Sequence, residues 1–259
     1  MRKSLLSAAL LGLAGLAEAG VVVKNVPYEI DGQPFEGKLV YDDAVSDPRP
    51  GLLMVPNWLG VTDASAEKAA RAAGDKYVVF VADMYGKSIR PSNADEAKQA
   101  ATTVRSDRAL MRKRAQAAVD VLKAQTSQVA LDTARLGAIG FCFGGGTVLE
   151  LARSGAPLKA FVSFHGNLDT PNPADANNIK APVLVLHGAD DPAVPPAQVD
   201  GFMKEMKAAK VDWQLVSYGG AVHSFTDPLA NTPGSNQYHP LVAARAFKAM
   251  DNLLDEVFE

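Results

Sequence analysis

Short apolar segments alternate with helix-like segments along most of the chain. The segments that predict strands are residues 21–30, 37–41, 51–56, 77–83, 136–141, 160–165, 183–187 and 214–218. The inner ones are rich in Val, Leu, Ile and Phe without polar alternation, as is typical of strands covered on both faces. An opening strand pair followed by repeated strand–helix units predicts an α/β fold, with a mostly parallel central sheet of about eight strands and helices on both faces.

One helix is clear from its periodicity. Within residues 107–124 the apolar positions share one face and the Arg, Lys and Gln positions the other. The apolar face comprises Met111, Ala115, Ala118, Val119 and Leu122. This pattern predicts an amphipathic helix that covers the sheet. Two long loops, 86–93 and 226–238, are either binding loops or plain surface excursions.

The first 19 residues have the pattern of a secretory signal peptide. Arg2 and Lys3 provide a positive start, residues 5–16 are apolar, and residues 17–19 (AEA) have the small-x-small form of a cleavage site. A transmembrane anchor is disfavoured because spanning a bilayer takes about 20 apolar residues. We therefore expect a signal peptide at 1–19, and a single exported domain at 20–259 that is free of the membrane after cleavage. In a Gram-negative bacterium its location would be the periplasm.

Composition narrows the function classes. With 259 residues, 47% hydrophobic and 21% charged, the chain has enough apolar material for a sizeable core, which excludes disordered and disulfide-scaffold classes. The net charge of −3, with no Lys/Arg cluster, disfavours a nucleic-acid partner. One cysteine excludes an intramolecular disulfide, and the four scattered histidines lack metal-ligand spacing. We expect no metal and no organic cofactor.

The single cysteine lies in a glycine-rich turn. A buried strand runs into residues 140–146 (GFCFGGG), and a helical pattern follows over 147–154. In a nucleophile elbow the central residue occupies a strained turn, so the positions two before and two after it must lack side chains. Gly140 and Gly144 stand at those positions. The alternative is that Cys142 is only a small buried hydrophobe.

A base and an acid follow in order. An unperturbed thiol has a pKa of about 8.5, so a nucleophilic cysteine benefits from both. Strand 183–187 is followed by Asp190 and Asp191, either of which could be the acid, and strand 214–218 is followed by His223, the candidate base. Because the carboxyl ends of parallel strands meet at one sheet edge, these residues are expected to converge with Cys142.

These residues and their surroundings resemble the dienelactone hydrolase family of the α/β-hydrolase fold. The resemblance is carried by GxCxGG around Cys142, HGxxDxxV around Asp191 and GxxHSF around His223, and by residues 54–60 (MVPNWLG) and 82–86 (ADMYG). It implies that Asp191 is the triad acid. It also implies an oxyanion hole made by the backbone N–H groups of Trp58 and Phe143.

Two positions depart from the family pattern. Asn57 stands where the family has an acidic residue close to the thiol, and Asp227 where it has a substrate-binding arginine. Lys98 is a stand-in for a second such arginine, so a bidentate carboxylate clamp is not expected. The candidate pocket residues are Asn57, Tyr85, Lys98, His165 and Phe225.

The other histidines have competing interpretations. His165 either borders the pocket or is a hydrogen-bonded structural residue, with the structural role favoured. His187 is expected to support the turn that carries Asp191. His239 is expected at the surface or as a cap of the last helix.

The function expected from the resemblance is hydrolysis of a small-molecule ester or lactone through a thioester acyl-enzyme. A catalytically silent binding protein is one alternative, motivated by Asn57. A thiol-redox protein is another, disfavoured because a lone cysteine has no resolving partner. We expect a monomer or weak homodimer.

Overall fold

The computed structural model describes residues 20–259, so the predicted signal peptide lies outside the described part of the chain. The strands are β1 (Val21–Ile30), β2 (Gln33–Asp42), β3 (Arg49–Val55), β4 (Val78–Val81), β5 (Leu131–Phe141), β6 (Phe161–Phe164), β7 (Val183–Gly188) and β8 (Trp213–Tyr218). The helices are α1 (Asp63–Ala73), α2 (Ala94–Ser106), α3 (Arg108–Lys123), α4 (Phe143–Arg153), α5 (Pro196–Ala209) and α6 (Pro240–Phe258). Two 3₁₀ turns (Ala124–Ser127 and Pro173–Asn178) and a small hairpin, β9 (Asn231–Thr232) with β10 (Asn236–Gln237), complete the fold.

The main sheet has eight strands in the order β1-β2-β4-β3-β5-β6-β7-β8. β1 pairs antiparallel with β2, and β2 antiparallel with β4. All pairings from β4 through β8 are parallel. The predicted α/β class and the mostly parallel sheet of about eight strands are confirmed.

Strand β5 begins five residues earlier than its apolar pattern predicts. The extra part, residues 131–135, begins with the buried Leu131 and continues with four exposed or partly exposed residues, three of them polar. It pairs with the start of β3, and the register then shifts from Pro50 opposite Asp132 to Gly51 opposite Leu136. Because these residues are mostly polar and lie at a register shift, the hydrophobic pattern does not predict this part of the strand.

Helices cover both faces of the sheet. Helices α2, α3, α4 and α5 contribute to one buried apolar cluster, and α1 and α6 to the other. The predicted amphipathic helix is α3: its five apolar-face residues are its buried residues, and Asp107 caps its N-terminus by accepting from the Leu110 amide at 2.9 Å. No helix within residues 20–259 is long and apolar enough to cross a membrane.

Helix α4 starts at Phe143, earlier than the predicted 147, and its first turn contains three glycines, of which Gly144 packs against the end of β3. A Cβ at Gly144 would overlap the carbonyl oxygens of Val55 and Pro56. Glycine thus allows the backbone of α4 to approach the end of β3 more closely than any other residue would.

We expect Gly144→Ala to destabilise the protein by about 1–3 kcal/mol, because the methyl group overpacks this contact. The control is Gly201→Ala on α5, where a Cβ meets nothing within 4 Å. There the better helix propensity of alanine should stabilise the protein by up to about 1 kcal/mol. Urea unfolding of the three proteins measures both changes, and equal midpoints would contradict the packing argument.

A buried ion cluster joins α4 to α5. The Arg153 guanidinium donates to both oxygens of Glu205 at 2.7 and 2.8 Å and to Glu150 at 2.9 Å. All three side chains are at most 2% exposed. Glu150 also accepts from Arg112 Nε at 2.9 Å, so the carboxylate that depends on Arg153 is that of Glu205.

We expect Arg153→Met to cost about 3–5 kcal/mol of unfolding free energy, because it leaves the buried Glu205 carboxylate without its cation, whereas Glu150 keeps Arg112. Lys76→Met is the control, since Lys76 pairs with Asp255 at the surface and should cost less than about 1 kcal/mol. Denaturant titration distinguishes the two, and similar losses would contradict the assignment.

Candidate active site

Cys142 lies in a strained turn between β5 and α4. Its backbone has φ 56° and ψ −117°, a left-handed conformation that costs a non-glycine residue about 1–3 kcal/mol. Its amide donates to the Phe164 carbonyl at 3.0 Å, and its carbonyl accepts from the Gly145 amide at 2.9 Å. A Cβ at Gly140 would overlap the Gly144 carbonyl. The geometry matches the predicted elbow and places a partly exposed thiol at a helix N-terminus.

Asp191 and His223 form a direct pair at the same sheet edge. Asp191 Oδ2 lies 2.8 Å from His223 Nδ1, and Asp191 Oδ1 accepts from the Ala193 amide at 2.8 Å. The Asp191 side chain is fully buried and that of His223 is 9% exposed. Asp190 instead accepts from the Gly220 amide at the surface. Of the two aspartates left open by the strand pattern, Asp191 is the one that reaches His223.

The pKa of His223 reflects two opposed effects. Burial lowers it, whereas hydrogen bonds to Asp191 and Cys142 outweigh burial and raise it from 6.5 to about 10. Hydrogen bonds to a charged form stabilise that form. The imidazole is therefore protonated at neutral pH, and it faces Asp191 and the Cys142 sulfur.

Two backbone segments flank the thiol. Phe143 is the first residue of α4, so its amide has no acceptor within the helix. Trp58 lies between β3 and α1, and its carbonyl accepts from the Tyr85 hydroxyl at 2.8 Å. The Tyr85 and Phe143 rings are 5.7 Å apart. Asn57 accepts from the Leu59 amide at 3.0 Å, so its side chain holds the turn that carries Trp58.

A cavity of about 570 Å³ opens between the Trp58 loop and the loop that follows His223. Asn57 lines it, as predicted for the pocket. Tyr85 lines a second cavity of about 420 Å³, beside α2. Burial and the neighbouring Cys142 raise the pKa of Tyr85.

Two predicted pocket residues lie elsewhere. Lys98 is exposed on α2 and lines neither of these cavities, since α2 turns Ala97 and Val104 inward instead. Phe225 is completely buried and packs edge-on against the rings of His165 and Tyr218 at 5.1 and 5.8 Å. It belongs to the core behind the site.

His165 lies behind His223. Its Nε2 is 2.8 Å from the Thr226 hydroxyl, and its ring is 5.2 Å from that of His223, edge to face. Burial, helped by the charges of His223 and Lys68, lowers the pKa of His165 well below 6.5, so this ring is neutral. His187 is also buried, and burial lowers its pKa. The predicted capping role of His239 is confirmed, because it caps α6 by accepting from the Val242 amide at 3.4 Å.

Lys68 was not predicted from the sequence. Its Nζ lies 3.8 Å from Asp227 and 4.7 Å from the centre of the ring of Phe141, the residue before Cys142. Burial lowers the pKa of Lys68, and the charges of Asp227 and Cys142 oppose that effect. Lys68 lies in the middle of a helix and not at a strand end, so no sequence signal marked it. Within residues 20–259, no group of three or more His, Cys, Asp or Glu side chains is arranged to hold a metal ion.

Comparison with known proteins agrees with this architecture. The family model of the dienelactone hydrolase family matches residues 35–258. A crystal structure of a dienelactone hydrolase-like promiscuous phosphotriesterase from metagenomic libraries superposes with a TM-score of 0.86 at 42% identity, over 93% of this chain and 100% of that one.

Two curated relatives are enzymes by name. A putative carboxymethylenebutenolidase of Methylorubrum extorquens is 31% identical over 192 residues, which are 70% of this chain and 65% of that protein. A probable 2-oxo-3-(5-oxofuran-2-ylidene)propanoate lactonase of a Bradyrhizobium species is 28% identical over 229 residues, 83% and 88% of the two chains. The chain therefore belongs to the dienelactone hydrolase family and is a hydrolase with an α/β-hydrolase fold.

Proposed function

We propose that the protein hydrolyses carboxylic esters or lactones through a Cys142–His223–Asp191 triad. The observation that carries the proposal is the 2.8 Å hydrogen bond between Asp191 and His223 beside a thiol in a strained turn. The names of the related lactonase and carboxymethylenebutenolidase support the same reaction class.

The first half-reaction forms a thioester. His223 holds the proton of Cys142, and the thiolate attacks the substrate carbonyl carbon. The amides of Trp58 and Phe143 donate to the oxygen that becomes negative in the tetrahedral intermediate. His223 then gives its proton to the leaving alkoxide as the C–O bond breaks. Asp191 keeps the imidazole oriented.

The second half-reaction releases the acid. In the acyl-enzyme the sulfur is no longer charged, so one of the contributions that raise the pKa of His223 is gone. His223 has given its proton to the alkoxide, so the neutral imidazole is free to accept a proton from water. The resulting hydroxide attacks the thioester, and the tetrahedral intermediate expels the thiolate.

Cleavage of phosphotriesters is a second candidate activity. It is favoured by the 42% identity, over the whole of that chain, to a protein described as a dienelactone hydrolase-like promiscuous phosphotriesterase. The same thiolate would attack phosphorus, and the amides of Trp58 and Phe143 would face the phosphoryl oxygen. The P–O bond to one ester group would break, and the alkoxide or aryloxide that leaves would take the proton of His223.

We also propose that the mature chain is exported, on the strength of the pattern in residues 1–19. Its location in the periplasm and its state as a monomer or weak homodimer stay predictions.

The triad is tested by turnover of p-nitrophenyl acetate, p-nitrophenyl butyrate, a lactone panel and an aryl phosphotriester. We expect Cys142→Ala and His223→Ala each to lower kcat/KM by about a thousandfold or more, because nucleophile and base act as one unit. The control is His239→Asn, which keeps a side chain able to cap α6 and should retain full activity. Full activity of Cys142→Ala would refute the nucleophile. Absence of any turnover by the wild type would favour the silent binding protein.

The charge state of His223 is tested by the pH dependence of Cys142 alkylation. The raised pKa keeps His223 protonated between pH 6.5 and about 10. In Asp191→Asn the charged hydrogen bond is lost and burial lowers this pKa, so the imidazolium is absent at pH 7. We expect iodoacetamide to react with Cys142 about tenfold more slowly at pH 7, with the difference vanishing above about pH 10, where unperturbed thiols ionise without help.

Cys142 is the chain's single cysteine, so mass spectrometry reads the alkylation without ambiguity. Asp190→Asn is the control, since it changes the neighbouring carboxylate that faces Gly220. Equal alkylation rates in Asp191→Asn and wild type at pH 7 would show that Asp191 does not hold the charge on His223.

A further inference from the structure

The 570 Å³ cavity is lined by Ser224, the residue that follows His223, and has an apolar mouth. Trp58 lies on one side, and residues 228–230 (PLA) of the loop that follows His223 lie on the other. Leu229 is 80% exposed and Trp58 36% exposed, although both line the cavity. Apolar surface of this kind favours a ligand group that removes it from water.

The charges inside the cavity cancel. Lys68 and Asp227 form an ion pair at 3.8 Å, with side chains only 13% and 23% exposed. The other charged lining residues are Arg71, whose guanidinium lies over the Phe247 ring at 4.4 Å, and Glu67. Two cations and two anions therefore leave no net charge.

This balance determines which substrates fit. A substrate carboxylate that enters the cavity would meet the negative charge of Asp227, and would have to displace it from Lys68 to gain a cation. Its own desolvation would add to that cost. An uncharged apolar group is not repelled by Asp227 and loses no charge hydration. It also covers the exposed surface of Trp58 and Leu229.

We propose that this cavity binds an uncharged apolar group of the ester substrate and that the Lys68–Asp227 pair excludes a carboxylate from it. The proposal rests on the proposed ester hydrolysis. It makes Leu229 and Asp227 residues that determine specificity.

The apolar part is tested with two series of esters. One is p-nitrophenyl esters with acyl chains from acetate to octanoate, and the other is butyrate esters of alcohols of increasing length. We expect kcat/KM of the wild type to rise along one series, by up to about fourfold per methylene group. Leu229→Ser should flatten that rise.

Leu241→Ser is the matched control. Leu241 is also an exposed leucine, at 54%, but it lies on α6 and does not line the cavity. It should leave the slope unchanged. Flat wild-type series, or equal slopes in the wild type and in Leu229→Ser, would overturn the apolar part of the proposal.

The charge part is tested in the series that responds. A neutral ester is compared with its carboxylate counterpart: p-nitrophenyl butyrate with p-nitrophenyl hydrogen succinate, or ethyl butyrate with the butyrate ester of glycolic acid. Asp227→Asn leaves Lys68 without its anion. The ratio of kcat/KM values should shift at least about fivefold towards the charged ester, as expected of a charge-assisted contact.

Asp255→Asn controls for the lost negative charge, because Asp255 pairs with Lys76 at the surface away from the cavity. An unchanged ratio in Asp227→Asn would overturn the charge part. If the wild type cleaves no ester at all, the proposed function fails. If it cleaves esters without dependence on Leu229 or Asp227, only the inference about the cavity fails.

Discussion

The candidate site at the carboxyl edge of the sheet depends on the left-handed backbone conformation of Cys142. This conformation is unfavourable for a residue with a side chain, and it persists because the surroundings leave no alternative. The Cys142 amide is held by the Phe164 carbonyl of β6, and the first turn of α4 packs against the end of β3 through Gly144. These contacts with β6 and β3 offset the cost of the strained backbone. As a result, the thiol projects from a rigid strand end and not from a mobile loop.

Two neighbouring histidines show how the same burial leads to opposite charge states. His165 and His223 are both buried, with rings 5.2 Å apart. His165 faces a neutral hydroxyl, so burial dominates and its pKa falls. His223 faces the Asp191 carboxylate and Cys142, so hydrogen bonding dominates and its pKa rises to about 10. A neutral ring behind a charged one adds no second positive charge at the site.

The charges of two residues near the site, Asn57 and Asp227, differ from those that the family resemblance implies. Asn57 holds the Trp58 turn, and Asp227 is paired with Lys68 on α1. An uncharged side chain and an internal ion pair thus occupy the positions where the resemblance implies an acid and an arginine. The proposed triad residues follow strand ends, whereas the cavity is lined mainly by the Trp58 loop, α1 and the loop after His223.

Local patterns were sufficient for the α/β class, the eight strands, α3 and the elbow. Strand and helix periodicity are properties of neighbouring residues, and the glycines at positions 140 and 144 are required by one tight turn. That Cys142, Asp191 and His223 lie near one edge of the sheet also follows from the sequence, because each comes after a parallel strand and parallel strands end at the same edge. Only the tertiary structure decided between Asp190 and Asp191 by direct geometry. It also placed Lys98 in solvent and Phe225 in the core, and brought Lys68 to Asp227. Those outcomes depend on how helices rotate and where loops return, which is determined by packing between residues far apart in the sequence.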